Sequence, residues 1–295
     1  MLLTTIFYEI DEFCKQFEPE WKKVLIQNKK QQRKRTSKMS MSEVMTICVF
    51  FHHSGYKNFK QYYINHVLEH LSTALPNLVS YNRFVELKQN VALPIAIFMQ
   101  LKGLGLCSGE SFVDSSSLAV SHPRRIHSHK VFKGLAKRGK TSIGWFYGFK
   151  IHLTINKDGE ILSFFITPGN IADNNEKVLT NITKNLFGKM FGDKGYIVNK
   201  DVFEKLYLKG VRLITKVRKN MKNKLMELKD KLTLKKRGLV ETVIGVLKES
   251  LSMEHSRHRS VWGFFSHIFS TLVAYVFKEK KPSIKNKTIK KVAAA

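Results

Sequence analysis

"GWFYGFKIHLTINKDGEILSFFITPGN", residues 144 to 170, decides the fold class. Apolar and polar side chains alternate on both sides of Asp158-Gly159, which is the period of strands and not of helices. Two alternating runs around a Lys-Asp-Gly turn read as a β-hairpin. Lys150 and His152 alternate with Phe149, Ile151 and Leu153, so they face away from that apolar row. Upstream, "SFVDSSSLAV" (111–120) is a further β-branched and apolar run carrying one acid, Asp114. Downstream come a helix over "ADNNEKVLTNITKNLF" and a short strand in "KMFGDKGYI" that ends at Asp193. A helix in "NKDVFEKLYLKG" and a strand in "VRLITKV" follow. Strands first in a hairpin and then alternating with helices predict a mixed α/β sheet with helices packed against it. Asp173, in "GNIADNN", reads as a helix cap.

The first hundred residues carry a different period. Ile6, Ile10, Phe13 and Phe17 stand at helical spacing, and Ser40 precedes Glu43 at the spacing of a capping box. "YKNFKQYYINHVLEHL" and "SYNRFVELKQNV" read as two helices around the turn "STALPNLV". Ser80 is placed to cap the second, with Asn82 and Arg83 near its start. This predicts a helix-turn-helix within an all-α DNA-binding region over residues 1–104. Lys22 to Lys38 contains no acid and reads as a solvated basic linker or as an arm that contacts DNA.

The charge balance points to the partner. The 295 residues hold 51 Lys and Arg against 23 Asp and Glu, a net charge of +28, more than solubility needs. A polyanion is the expected partner: nucleic acid first, an anionic membrane second. Three widely spaced cysteines, Cys14, Cys48 and Cys107, make neither a disulfide framework nor a cysteine zinc site and fit a reducing cytosol. Glu9, Asp11 and Glu12 interrupt the N-terminal apolar run, unlike a secretory leader. Val261 to Phe277 is apolar but short and contains Ser266, His267 and Ser270, so it reads as a buried helix and not as a membrane span. Residues 278–295 read as a basic, disordered tail.

"RGLVETVIGVLKES", 237 to 250, carries the chemistry. On a helix, Val240, Val243, Ile244, Leu247 and Leu251 form the core stripe. Arg237, Glu241, Gly245 and Lys248 form a second stripe beside it. A plain Arg–Glu pair one turn apart would explain part of this pattern. The glycine would also let a bulky ligand approach the helix backbone. Asp114 and Asp193 sit on strands; if those strands are neighbours, both acids project at one sheet edge, where Glu241 could join them. Clustered carboxylates repel unless cations neutralise them, and hard oxygen donors suit two Mg²⁺ or Mn²⁺ ions acting on a phosphodiester.

With these residues in place the chain resembles the DDE transposases of bacterial insertion sequences, which have an RNase H-like core. Asp114, Asp193 in "FGDKGY" and Glu241 match the three acids, and Arg237, Glu241 and Lys248 match the R-x3-E-x6-K signature of one large branch. "GWFYGFKIHL", "TPGN", "GDKGY" and "HSRHRS" look most like the insertion-sequence family numbered nine-eight-two. The likeness covers residues 105–277 closely and the N-terminal part loosely. That branch often has a tyrosine three residues before the arginine, where this chain has Leu234.

The resemblance implies an RNase H-like catalytic domain over 105–277. It implies a cytoplasmic, nucleoid-associated bacterial transposase working as a homodimer on double-stranded DNA, with no membrane partner. Such a protein binds terminal inverted repeats, cleaves with two metal ions and joins the 3′-hydroxyl to target DNA. Asp114, Asp193 and Glu241 would be catalytic metal ligands. Arg237, Lys248, Lys194, His152, Arg124, Arg125, Arg257, Arg259, Asn82 and Arg83 would be DNA contacts. Two of these stretches keep a second reading: "RHRS" (257–260) as a surface turn, and His152 as a hydrogen-bonded surface histidine. His122, His127 and His129 share a loop with Arg124 and Arg125, and phosphate contact suits them better than zinc. Two other activities fit the same residues: a nuclease without strand transfer, and a DNA-binding repressor with a decayed site.

Overall fold

The computed structural model describes residues 1–27, 37–142, 144–216, 226–254 and 258–284. Arg257, part of the basic stretch before Lys38 and most of the C-terminal tail lie outside them. The chain forms two compact units. One comprises Met1–Leu104, Leu118–Phe149 and Gly245–Glu279; the other comprises Gly105–Ser117, Lys150–Ile244 and the chain from Lys280.

The strands, in chain order, are β1 (Glu110–Ser121), β2 (Lys137–Lys140), β3 (Trp145–Ile155), β4 (Ile161–Pro168), β5 (Gly188–Gly192) and β6 (Val211–Thr215). The sheet has the order β2-β3-β1-β5-β6, with β4 also pairing β3. The expected hairpin is therefore β3 and β4, turning at Asn156–Glu160. β5 runs parallel to both β1 and β6, and β2 runs antiparallel to β3, so the sheet is mixed as the strand and helix alternation predicts. Gly148 has no alternative on β3, because a Cβ there would strike the Leu118 carbonyl of β1.

In the helical unit, α1 (Leu2–Gln27) buries Ile6, Ile10 and Phe13, three of the four apolar positions picked out by spacing. α2 (Met41–Phe50) opens with the expected reciprocal box: Ser40 Oγ accepts from Glu43 N at 3.1 Å, and Glu43 Oε2 accepts from Ser40 N at 2.7 Å. α3 (Phe59–Tyr62) continues as a wider turn to Leu68, and α4 (Tyr81–Asn90) is capped by Ser80, which accepts from Arg83 N. α5 (Ala92–Phe98) follows.

The greasy segment near the C-terminus is a buried helix, α10 (Val261–Val276), seated against α2, α4 and α5. Within it His267 bonds the Ser252 carbonyl at 2.9 Å and Thr271 Oγ1 donates to the His267 carbonyl at 2.8 Å, and beside it His52 bonds the Leu251 carbonyl at 2.6 Å. Burial pushes the His52 imidazole down to about 3, so it stays neutral. No helix among the described residues is long and apolar enough to cross a membrane.

The second unit packs α6 (Glu176–Ile182) and α7 (Lys200–Leu208) around one core containing Val113, Leu179, Ile182, Met190, Leu206 and Leu213. α8 (Leu228–Lys235) is fixed to β5 through Asp230, buried, which accepts from Lys189 Nζ at 2.6 Å. α9 (Gly238–Gly245) begins right after it and continues as a wider turn to Ser250. The core stripe read from the sequence is buried at Val240, Val243, Leu247 and Leu251, while Ile244 is half-buried.

Candidate active site

Parallel pairing sets the site. Phe112 on β1 opposes Phe191 on β5, and two residues further along each strand stand Asp114 and Asp193. The two acids therefore leave neighbouring strands at the same level, as their place in the sequence requires if the strands adjoin. Asp193 is the last extended residue before the turn Lys194–Tyr196. Glu241 lies in the first turn of α9, which the Lys189–Asp230 pin on α8 brings close to β5.

Arg237 joins the three. Its Nη1 donates to Asp114 Oδ2 at 3.1 Å, and its Nη2 donates to Glu241 Oε1 at 2.5 Å and lies 4.0 Å from Asp193 Oδ1. The guanidinium is only 15% exposed, whereas the Asp193 and Glu241 carboxylates are about half exposed. Burial works against the arginine charge, but the three acids outweigh it and hold its pKa up. Asp114, the most enclosed acid, is pushed up to about 6 by burial. The Ser115 N–H at 2.8 Å and Arg237 oppose that rise, and Glu241 and Asp193 add to it. Gly245, further along the Arg237 stripe, leaves open space: a Cβ there meets nothing within 4 Å.

Among the described residues no three of His, Cys, Asp and Glu stand together closely enough to hold a metal ion. The chemistry of the site nonetheless fits one. All three donors are carboxylates, the preference of Mg²⁺ and Mn²⁺, and the cationic position among them is taken by the Arg237 guanidinium.

One acid that the sequence reading set aside belongs to the neighbourhood. Asp173 does not cap α6; Asn175 does, accepting from Lys177 N at 3.0 Å. Asp173 instead turns back to the sheet, where its Oδ1 accepts from Ser115 Oγ at 2.8 Å and from Lys150 Nζ at 3.1 Å. Its Oδ2 would be 3.3 Å from a Cβ at Gly195, and the next residue, Asn174, donates to the Ile197 carbonyl at 2.8 Å. One loop thus ties the residue after Asp114 to the turn after Asp193. The available signal was Lys150: a cation set in a strand of apolar neighbours needs a counter-charge.

His152 shares this network and is not on the surface. It is fully buried, bonded through Nε2 to Thr167 Oγ1 at 3.0 Å, with Nδ1 3.8 Å from Asp173 Oδ1. Burial lowers its pKa to about 4 against the pull of Asp173. A neutral, enclosed imidazole cannot reach DNA as a surface contact would.

The remaining sequence candidates scatter. Lys194 is exposed directly after Asp193. Arg124 and Arg125 are exposed in a short turn, with His122 Nδ1 accepting from Arg124 N at 3.3 Å. Lys248 pairs with Glu254 at 3.2 Å. In α4, Asn82 is exposed, and Arg83 is paired to Glu86 at 2.5 Å. Arg259 is exposed before α10.

Two aspartates at the ends of adjoining strands and a glutamate from the following helix thus meet at one guanidinium. Residues 104–261 match the family model described as a transposase DDE domain, and the chain belongs to that family. All three acids fall inside the matched residues. No curated protein and no solved structure matches the chain. Membership of this family implies use of a divalent metal.

Proposed function

We propose that the chain binds the terminal inverted repeats of an insertion sequence as a homodimer on double-stranded DNA. It cuts the backbone at the element end and transfers the 3′-hydroxyl to target DNA, in a bacterial cytoplasm where it associates with the nucleoid. The observation behind this reading is the meeting of Asp114, Asp193 and Glu241 around one cationic group. These carboxylates would hold two Mg²⁺ or Mn²⁺ ions, which supply Lewis-acid activation of the attacking water or hydroxyl and stabilise the leaving oxygen.

The protein's own groups do the rest. Arg237 neutralises the three acids in the metal-free chain and, once they bind cations, is free to meet a backbone phosphate. Lys194, exposed beside Asp193, steadies the same backbone without reading sequence. His152, held by Thr167, packs beside Asp173 with its Nδ1 3.8 Å from Oδ1. Residues 1–104 serve end recognition and 105–277 cutting, with Lys248, Arg124, Arg125, Arg257, Arg259, Asn82 and Arg83 as further contacts.

The test is a cleavage and joining assay on labelled end duplexes with a supercoiled target. Asp114→Asn, Asp193→Asn and Glu241→Gln should each abolish cleavage and leave duplex binding intact. Near-normal cutting by any one variant removes that residue from the site. Cutting by the wild-type chain without joining makes it a nuclease, and binding without cutting makes it a repressor.

A further inference from the structure

Away from the acidic cluster, the helical unit contains a groove of about 890 Å³. Its walls are α3, α4 and the turn into α10. Lys57, Lys60, Lys88 and Arg259 line it together with aromatic and amide side chains, and among the described residues no aspartate or glutamate does. In a chain with 23 acids that is a bias, but net charge alone would produce some of it.

Lys88 is the stronger observation. Its ammonium lies 3.9 Å from the centre of the Phe59 ring, the side chain is half-buried, and no described carboxylate pairs with it. Burial pushes its pKa down, and its charge in turn disfavours protonation of buried His52 and His267. On the same helix Arg83 has a partner in Glu86 and takes no part in the groove lining. A cation withdrawn from water without a counter-ion destabilises the fold, and a cation–π contact returns only part of that loss. A leucine or methionine would fill the same space beside Phe59. Where a sequence keeps such a locally unfavourable choice, a function is the usual reason.

We propose that this groove seats the sugar-phosphate backbone of DNA, with a phosphate answering the Lys88 charge and Lys60 and Arg259 holding its neighbours. The surroundings suit a nucleotide chain better than a lone anion. Tyr81 presents a ring beside Lys60, 6.0 Å from its ammonium, and Asn82 adds amide donors and acceptors at the start of α4. The proposal rests on the reading that the chain acts on DNA. It goes beyond that reading by assigning Lys60 and Lys88, which that reading does not use, and by joining them with Arg259 in one groove.

The test uses the full chain without divalent metal, a labelled random-sequence duplex and, separately, inorganic phosphate. Lys88→Met removes the charge and keeps the volume. It should raise the melting temperature of the free protein while weakening duplex binding about tenfold, the scale of one charge-assisted hydrogen bond. Lys60→Ala and Arg259→Ala, both at exposed positions, should each flatten the salt dependence by about one released counterion. They also serve if Lys88→Met does not fold. Lys205→Ala, which lines no part of the groove, is the control.

A Lys88→Met chain that binds duplex as the control does, or that melts lower than wild type, overturns the proposal. Rim variants with unchanged salt slopes overturn it as well. If phosphate raises the melting temperature of wild type but not of Lys88→Met, and duplex binding is unmoved, the groove takes small anions and not DNA. If the wild-type chain binds no duplex, the DNA reading itself falls, and the groove proposal with it.

Discussion

Replacing Arg237 with glutamine separates two roles that the structure superimposes. In the metal-free chain its guanidinium is, among the described residues, the one cation within 4.0 Å of all three acids. Its contact with Asp114 is largely enclosed, with the two side chains 15% and 21% exposed. Removing one partner of a buried pair costs about 3–5 kcal/mol, while half-exposed arms such as those to Glu241 and Asp193 are worth about 0–1 kcal/mol each. Allowing for the residual exposure of Asp114, Arg237→Gln should lose about 2–4 kcal/mol of stability in chelator, roughly 5–10 °C in melting temperature.

Added Mg²⁺ should then have the larger effect on the variant. In wild type the ion must displace the guanidinium and give up those contacts; in the variant it meets bare carboxylates. At about a hundredfold over its dissociation constant an ion contributes about 2.7 kcal/mol, enough to return most of the loss. Thermal melts across a Mg²⁺ titration give both numbers, with Asp114→Asn as the chain that should not respond. The variant's titration midpoint should fall below that of wild type. A midpoint that is unchanged or higher would refute the argument: Arg237 would then be arranging the acids for the metal and not standing in its place.

Two further outcomes follow from the same neighbourhood. Asp114 is held at about 6 in the folded chain against its ordinary 3.8, so the folded state binds this proton more tightly than the unfolded state. The group's contribution to stability is therefore present at low pH and lost as pH rises through about 6, roughly 3 kcal/mol in total. Asp114→Asn should flatten this loss and match or exceed wild-type stability above it, when both are melted in chelator across the range with Arg237, Glu241 and Asp193 intact. Asp173→Ala should raise the Mn²⁺ concentration needed for half-maximal binding about tenfold, as loss of a group supporting a metal ligand does, and Asp173→Asn should recover part of it. Equal Mn²⁺ titrations for wild type and Asp173→Ala would reduce Asp173 to a partner of Lys150.

The parts of this molecule that were legible in the sequence are those governed by local periodicity. The β3–β4 hairpin, the Ser40–Glu43 box, the Ser80 cap and the buried helix over Val261–Val276 each follow from residues within a few positions of one another. The meeting of Asp114 with Asp193 required one non-local fact, that β1 adjoins β5, and the strand-end position of both acids made it a specific expectation. Asp173 was missed because its partners lie 58 and 23 residues away, while its local setting before a helix imitates a cap. His152 was misplaced for a related reason. Alternation tells which face of a strand a residue takes, but whether that face meets water depends on the loop laid over it, and here that loop carries Asp173.

The arginine between the acids shows where pattern and chemistry diverge. Arg237 and Glu241 are one helical turn apart, and an ordinary surface pair would leave the same trace in the sequence. What distinguishes them is the third dimension: the pair is roofed by a sheet edge that delivers Asp114 and Asp193 to the same guanidinium. Three carboxylates converging on one cation is an arrangement that a fold has no need to build for stability, since an apolar contact at that edge would hold α9 as well. It is an arrangement suited to exchanging one cation for another.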